Sequence, residues 1–310
     1  MGEVIMQNLK TLPPISYNFG KCTTEEQILP RMEKMALAGA RRIMLESAQL
    51  MLAADNSDFK ETLRKCLAAT GLVLFDAHAP HGFMDSLGCP LPGAFEHFRQ
   101  ISEKSLNIAA EFGVKTLTFH CARTRLVYNN APESGPIEDV DLPGAKTRAL
   151  KQLEGLLPKA EALGITIALE NLFLPTGAAS FLSGLLKEFK HPYLGLNYDS
   201  GHALLLERQE GKQSSDIAEW IRIGWQDDTV EFQDDQLDEM LANVVTAHLH
   251  DNHGKEDEHI MPGNGIANWP SIVARFQKAP RLISLQSEVS SKCYLDKPEL
   301  QIDSFRAVGL

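Results

Sequence analysis

Residues Ala247 to Trp269 read A-H-L-H-D-N-H-G-K-E-D-E-H-I-M-P-G-N-G-I-A-N-W and hold four of the ten histidines of the chain. His248 and His250 are two residues apart, so both side chains point to the same face if they lie on a strand. Asp251 and Asp257 lie among the histidines. Imidazoles and carboxylates that converge at the end of a strand are typical ligands of a divalent metal. A polar surface loop is the alternative, but the density of histidines favours a metal site.

Apolar, strand-like runs alternate with segments of helical periodicity along the rest of the chain. The runs that read as strands are 15–19, 42–45, 72–77, 115–119, 165–169, 194–198, 244–249 and 282–286. Helical periodicity is found in 25–38, 58–69, 94–112, 144–163, 181–189, 269–277 and 298–308. Strands that alternate with helices in this number predict a closed (β/α)8 TIM barrel, formed as one domain by residues 1–310.

Most of the predicted strands end at or just before a carboxylate or a histidine. These residues are Glu46, His78, His120, Glu170, Asp199, His248 and Glu288. A barrel brings the carboxyl ends of its strands together on one face, where the active sites of this architecture lie. Any one of these residues could be solvated by itself, but the coincidence on seven strands predicts one shared site.

The composition argues against several classes of protein. No apolar run is long enough to span a membrane, and the N-terminus lacks the basic start and apolar centre of a secretory signal. The five cysteines are scattered without a C-x-x-C pair, which favours reduced thiols and a cytoplasmic location. The net charge of −11 disfavours binding to a phosphate backbone. We therefore expect a small-molecule substrate and no nucleic-acid or membrane partner, with a homo-oligomer left open.

Two connections are long enough to be insertions at the mouth of the barrel, residues 121–143 and 208–240. The second insertion carries seven carboxylates and no basic residue between Trp225 and Glu239. This composition favours a solvated acidic helix with loops. The alternative is a lid over the barrel mouth, with Trp220 and Trp225 facing the substrate.

Several segments resemble the sugar-phosphate isomerase/epimerase superfamily, the xylose-isomerase-like TIM barrels. They are A-L-E-N at 168–171, N-Y-D-S-G-H at 197–202, H-L-H-D-N at 248–252, D-E-H-I-M-P-G-N-G at 257–265 and S-L-Q-S-E at 284–288. The superfamily includes 2-keto-sugar 3-epimerases, hydroxypyruvate isomerases and inosose dehydratases, and the endonuclease IV type of abasic-site nuclease shares its barrel. The resemblance implies an isomerase or epimerase of a small sugar, keto sugar or related polyol.

The resemblance also implies a site in which one divalent metal, Mn²⁺, Zn²⁺, Co²⁺ or Mg²⁺, is held at four strand ends. The implied ligands are Glu170, Asp199, His248 and Glu288. His250 is the alternative to His248, because the family is not uniform at this point. Glu170 and Glu288 would move a proton through an enediolate held by the metal, while His202 and His250 would contact substrate oxygens. Glu46 is a candidate for the far end of the substrate, and so is Arg123, for which a surface salt bridge is the alternative.

A second interpretation follows from the nuclease, which binds three zinc ions. Its additional ligand types have counterparts in His78, His120, His202, Asp257 and His259. Two or three Zn²⁺ ions therefore stay open, together with zinc-dependent hydrolysis of a phosphodiester. The acidic charge and the segment E-N-L-F-L-P-T-G at 170–177, which departs from the nuclease pattern E-N-T-A-G, place this activity second. A barrel without catalysis that serves as a binding protein comes third, because the expected ligands are all present.

Overall fold

The computed structural model describes residues 11–82, 84–121, 141–294 and 297–310. Its parallel strands are β1 Ile15–Tyr17, β2 Arg42–Leu45, β3 Val73–His78, β4 Thr116–Phe119, β5 Thr166–Glu170, β6 Leu194–Asp199, β7 Val244–Leu249 and β8 Leu285–Ser287. Each strand pairs with the next one along the chain, and β8 returns to β1, where Ile15 lies opposite Leu285. The predicted closed barrel of eight strands is confirmed.

Helices follow the strands and surround the barrel. In the described residues they are α1 Glu25–Ala38, α2 Ser47–Asp55, α3 Ser57–Thr70, α4 Ala94–Glu111, α5 Leu142–Leu163, α6 Ala179–Glu188, α7 Ser200–Leu206, α8 Glu219–Arg222, α9 Gln236–Met240, α10 Trp269–Phe276 and α11 Glu299–Ala307. Neither α2 nor α7 is among the helices predicted from the sequence. Each begins within two residues of the end of a strand. None of these helices is both long and apolar enough to cross a membrane, and the cytoplasmic location stays a prediction.

Local sequence explains where several helices begin and end. Asn56 lies before α3, and its side-chain oxygen accepts hydrogen bonds from the backbone N–H groups of Asp58 and Phe59, which would otherwise lack a partner at the helix start. The same helix ends at Gly71, whose φ of 68° lies in the left-handed region that glycine adopts without a steric penalty. These two residues set where α3 begins and where it ends.

The inside of the barrel is polar rather than filled with branched apolar side chains. Asp76 on β3 is fully buried and accepts hydrogen bonds from the hydroxyls of Ser16, Thr116 and Ser284, with 2.6 Å between Ser284 Oγ and Asp76 Oδ1. Side chains alternate along a strand, so His78 lies above Asp76 on the same face. On three other strands, polar residues likewise occupy three alternate positions that share a face: 116, 118 and 120; 246, 248 and 250; and 284, 286 and 288. Polar columns therefore run from this buried layer to the carboxyl ends of the strands.

Residues of the segment 208–240 form a small hydrophobic cluster together with the loop after β5 and the end of α7. Trp225 is only 3% exposed, and its Nε1 donates a hydrogen bond to the carbonyl of Phe173 at 2.9 Å. The other buried members are Leu174, Leu205, Leu206, Ile217, Ile221 and Val230. The alternative of a lid in which Trp225 faces the substrate does not hold for this residue, because its buried indole anchors the segment to the loop after β5. The insertion predicted at 121–143, with Arg123, falls largely outside the described residues.

Candidate metal centre

The structure gathers the predicted residues at the carboxyl ends of the strands. Glu170 and Asp199 are the last residues of β5 and β6, and His78 is the last residue of β3. His120 and Glu288 directly follow β4 and β8. The remaining predicted residues lie at the end of β7, in the first turn of α7 or in the loop after β7: His248, His250, His202, Asp257 and His259.

A first group of ligand atoms lies between β3, β4 and β5. Glu170 Oε2 is 3.2 Å from His78 Nε2 and 3.0 Å from His120 Nε2, and the two nitrogens are 3.1 Å apart. His78 Nδ1 lies 2.6 Å from the carbonyl oxygen of Ala79 and therefore carries the proton that it donates to that oxygen. In the neutral ring, the lone pair on Nε2 consequently points into the group.

A second group lies between β5, β7 and β8. His248 Nδ1 is 3.1 Å from Glu170 Oε1 and 3.3 Å from Glu288 Oε1. The other ring nitrogen of His248, Nε2, lies 3.4 Å from the hydroxyl of Thr118. Together with His78, these three residues offer ligand atoms that all lie within 4.8 Å of one another.

A third group is formed by His202, Asp257 and His259. Asp257 Oδ2 lies 3.3 Å from His202 Nε2 and 3.0 Å from His259 Nε2. Both histidines use Nδ1 to donate a hydrogen bond to a main-chain carbonyl, His202 to Asn171 at 2.9 Å and His259 to Glu288 at 2.8 Å. Main-chain contacts of this kind fix the ring and leave Nε2 free for a metal.

His248 and His250, the two alternative ligands, contact different carboxylates in the structure. His248 contacts the two glutamates, whereas His250 Nε2 lies 3.1 Å from both carboxylate oxygens of Asp199. Asp199 Oδ1 also accepts the backbone N–H of His202 at 2.6 Å and so begins α7. The four implied ligands therefore do not converge on one point, because Asp199 groups with Glu170 and His202 rather than with His248.

The donor atoms fit a cation better than they fit one another. Glu170 Oε1, His248 Nδ1 and Asp257 Oδ1 are buried, and none has a hydrogen-bond partner within the described residues. A buried polar atom without a partner costs about 1–3 kcal/mol. Nitrogen lone pairs directed at carboxylate oxygens also repel them unless positive charge lies between. The composition, imidazoles and carboxylates without thiolates, suits Zn²⁺, Mn²⁺ or Co²⁺.

The electrostatics of the centre show the same demand for positive charge. Burial raises the pKa of Glu170, but His248 and His120 outweigh burial and hold that pKa well below its usual range. Burial lowers the pKa of His248, but Glu170 and Glu288 raise it well above the usual value of histidine. A divalent ion supplies the charge that these carboxylates otherwise obtain from protonated imidazoles.

The loop after β7 is braced by Asp251, which is fully buried and lies outside the metal groups. Its carboxylate accepts hydrogen bonds from the N–H groups of Gly263 at 3.0 Å and Ala267 at 3.1 Å, and from Trp269 Nε1 at 2.9 Å. In the same loop His259 has a φ of 51°, a left-handed conformation that is costly for a residue with a Cβ. Asp251, which we counted among the metal-binding stretch, is therefore a support of the loop.

The groups open into a cavity with a volume of about 740 Å³. Glu46 lines it as predicted, with a pKa raised by burial and by Glu288, and Trp220 lines it as well. His81, which was not predicted from the sequence, also lines the cavity, and its ring lies edge-on to His78 with the centroids 4.9 Å apart. The side chain of His81 is exposed at the cavity mouth, and desolvation by the neighbouring groups, His120 and His78 lower its pKa. Its position three residues after His78 was the available signal.

Two lysines that line the cavity were also not predicted, because the sequence places few basic residues near the strand ends. Lys21 and Lys292 line the cavity on the side of Glu46, together with Ser290 and Ser291. Lys21 lies in the loop after β1 and Lys292 in a single 3-10 turn, Ser291–Cys293, after β8, and hydrophobic periodicity predicts the position of neither. The exposed His253 is outside the groups and pairs with Glu258 at 2.9 Å.

Most of the chain matches a known family of proteins. The family model described as "xylose isomerase-like TIM barrel" matches residues 32–303. The chain belongs to this family.

Solved structures with the same fold cover nearly the whole chain at low sequence identity. The 3-keto-D-glucoside 4-epimerase YcjR of E. coli is 14% identical, with a TM-score of 0.63, over 96% of this chain and 99% of that protein. A D-psicose 3-epimerase solved with D-fructose is 14% identical, with a TM-score of 0.65, over 94% and 98%. An AP endonuclease of family 2 from Brucella melitensis is 16% identical, with a TM-score of 0.63, over 96% and 99%. These likenesses show the fold.

Curated relatives match a smaller part of the chain. An uncharacterised protein of Methanocaldococcus jannaschii is 25% identical over 130 residues, which is 41% of this chain and 37% of that protein. An uncharacterised protein of Sinorhizobium fredii is 29% identical over 111 residues, or 35% of this chain and 28% of that protein. The chain thus matches about a third of the length of these relatives.

Proposed function

We propose that the protein is a divalent-metal-dependent isomerase or epimerase of a small sugar, keto sugar or related polyol. The main support is the pair of glutamates on His248, Glu170 from β5 at 3.1 Å and Glu288 after β8 at 3.3 Å. The two carboxylates approach the same point from different strands of the barrel. A sugar carbon placed there has a carboxylate on each side.

The chemistry follows from this placement. A bound divalent metal supplies Lewis acidity to the carbonyl and the neighbouring hydroxyl of the sugar, which acidifies the C–H bond between them. Glu170 and Glu288 then take the proton from that carbon and return it to the same face or the opposite face. General acid–base catalysis of this kind contributes about 10²–10⁴-fold. His202 and His250 lie close enough to the same groups to orient substrate oxygens.

The residues that would hold the metal are Glu170, His248 and Glu288, with Asp199 and His250 on the adjoining side. His78 and His120, and separately His202, Asp257 and His259, form additional groups. We assign the catalytic ion to the group with the two glutamates, because His248 Nδ1 lies within 3.3 Å of a carboxylate oxygen from each of two strand ends. His202 Nδ1 also lies between two carboxylates, those of Glu170 and Asp199, but at 3.5 Å from each.

The additional groups favour a second candidate, the zinc-dependent hydrolysis of a phosphodiester. His78, His120 and Glu170 offer three ligand atoms with the separations given above, and so do His202, Asp257 and His259. Metal ions in neighbouring sites can hold both the attacking and the leaving oxygen of a phosphate. The net charge of −11 argues against a nucleic acid as the substrate. This activity is therefore placed second.

Metal content separates the two candidates. We would purify the protein, load it with Mn²⁺, Zn²⁺ or Co²⁺, and count ions per chain by elemental mass spectrometry. One ion per chain that is lost in Glu170→Gln supports the isomerase. Two or three zinc ions move the hydrolase to first place, and no metal under any loading condition sinks both. Glu256→Gln is the control, because Glu256 is an exposed carboxylate in the loop after β7 and lies outside the metal groups.

Proton exchange tests the reaction itself. Keto sugars are incubated with the metal-loaded protein in deuterated water, and deuterium at the carbon next to the carbonyl is followed by NMR. We expect exchange with at least one sugar, and its loss in Glu288→Gln. Phosphodiester cleavage without any proton exchange would contradict the proposal and support the hydrolase.

A further inference from the structure

The cavity has two chemically different walls above the metal groups. One side is lined by Lys21, Ser290, Ser291 and Lys292, and the other by Leu172, Phe173, Leu174 and Trp220. A sugar ring has a similar division, with hydroxyls at its edge and C–H bonds on its faces. The apolar wall is therefore suited to the face of a ring.

Trp220 is placed differently from the other tryptophans of the chain. It is 45% exposed, whereas Trp225 and Trp269 are each 3% exposed. Its neighbour Ile221 is buried in the hydrophobic cluster of the insertion, so α8 is held in place without the indole. The exposed face of Trp220 is left available within the cavity that contains the metal groups.

Phe173 fixes the distance between Trp220 and the metal groups. Its ring lies edge-on to His202, with the centroids 5.1 Å apart, and edge-on to Trp220, with the centroids 5.2 Å apart. The indole therefore lies one aromatic ring further from the metal groups than His202 does. Glu170 lies 3.5 Å from His202, so the rings of His202 and Phe173 separate it from Trp220, and the cavity extends past the two glutamates to the indole.

We propose that the substrate carries a second ring, a glycosyl or aryl group joined to the reacting sugar, and that this ring stacks on Trp220. The inference rests on the proposed function, since the first ring is taken to be the sugar that reacts. A glycosyl group and an aryl group both present a flat face to the indole. The glycosyl face carries C–H bonds, and the aryl face carries π electrons. Trp220 is a specificity residue that acts far from the reacting carbon.

The test uses two pairs of ligands whose members differ only in the second ring. D-fructose is paired with lactulose, which adds a galactosyl ring, and methyl β-D-glucoside is paired with phenyl β-D-glucoside, which adds an aryl ring. Dissociation constants are measured by calorimetry on the metal-loaded full chain. We expect the second ring to tighten binding in at least one pair by about tenfold, a usual effect of stacking on an aromatic side chain. The pair that responds identifies the kind of ring.

Substitutions assign the effect to Trp220. Trp220→Ala is expected to reduce the preference for the second ring to within about twofold, and Trp220→Phe to retain most of it. Glu219→Ala, an exposed neighbour in the same helix, should keep the full preference. In the wild type, lactulose or the phenyl glucoside should also shield the exposed indole from quenching by acrylamide.

The outcomes separate this inference from the proposed function. Equal binding of both members in both pairs overturns the second ring and leaves a monosaccharide isomerase standing. A preference that survives Trp220→Ala overturns the role of Trp220. Failure of every keto sugar, with one ring or two, to bind or exchange protons overturns the proposed function and this inference with it.

Discussion

Three of the histidines at the candidate metal centre are oriented by the main chain. His78, His202 and His259 each donate a hydrogen bond from Nδ1 to a carbonyl oxygen, at 2.6, 2.9 and 2.8 Å. The free nitrogen of each ring is thereby set before any ligand arrives, and the centre is organised in advance. A change in one of these loops can disturb the site without touching a ligand residue.

Protons and metal compete for the same nitrogens, which gives a pH dependence. Burial lowers the pKa of His259, but the hydrogen bond to Asp257 and nearby carboxylates raise it to about 10, and the pKa of His202 is also raised well above its usual value. At pH 7 the metal must displace these protons, so the apparent affinity is expected to rise with pH between 6 and 9. Each displaced proton contributes about tenfold per pH unit. Competition with a chelator measures the slope, and a flat profile would contradict it.

Thr118 is expected to set the orientation of His248. The hydroxyl of Thr118 lies 3.4 Å from His248 Nε2 and 3.4 Å from Asn197 Nδ2. Thr118→Val keeps the shape of the side chain but removes the oxygen, so we expect metal affinity to fall by about tenfold to a hundredfold. Thr147→Val, at an exposed position of α5, is the control. Unchanged affinity in Thr118→Val would show that His248 needs no such partner.

At the scale of the elements, the alternation of strand-like runs with helical segments made the fold predictable. The predicted bounds of β2 and β7 agree with the structure, and β8 is shifted to Leu285–Ser287. The site residues are adjacent in space because parallel strands end at the same rim, which the sequence shows through the residues that follow each strand. The sequence could not show which nitrogen of a ring points inward, nor that Asp251 braces its loop, because these depend on backbone hydrogen bonds.

Lys212 stabilises the C-terminal end of α7. Its Nζ donates hydrogen bonds to the carbonyls of Leu204 at 2.7 Å and Leu205 at 3.1 Å, which have no partner within the helix. Burial lowers the pKa of this lysine to about 8. Lys212→Met keeps the aliphatic stem and removes the donors, and we expect it to lower the free energy of unfolding by about 1 kcal/mol.

Denaturation in urea measures this effect. Lys255→Met serves as the control, because Lys255 is exposed in the loop after β7. A variant with the stability of the wild type would show that the end of α7 is satisfied by water.

At the scale of the molecule, the polar interior of the barrel is expected to depend on Asp76. Three hydroxyls from β1, β4 and the residue before β8 donate to its carboxylate. Asp76→Ala leaves these donors buried without an acceptor, and we expect the free energy of unfolding to fall by about 3–5 kcal/mol.

Asp76→Asn is the comparison, because the amide keeps one acceptor. Burial raises the pKa of Asp76 above that of the unfolded chain, so the native state holds the proton more tightly. Tighter binding of this proton by the native state adds to the free energy of unfolding at low pH. The added stability is lost as the pH rises through the native pKa of Asp76. The asparagine variant should lack this dependence in urea denaturation at a series of pH values. Equal losses in Ala and Asn would contradict the role of the carboxylate as an acceptor.

The proposed metal ligands are spread along the chain from His78 on β3 to Glu288 after β8. A ribosome makes them in that order, so a nascent chain lacks one carboxylate of the proposed catalytic pair until β8 has been synthesised. Any half of the barrel, released or produced alone, holds an incomplete set. In the proposed enzyme, metal uptake is therefore a step of maturation that follows translation, and it depends on the metal supply that the finished chain encounters.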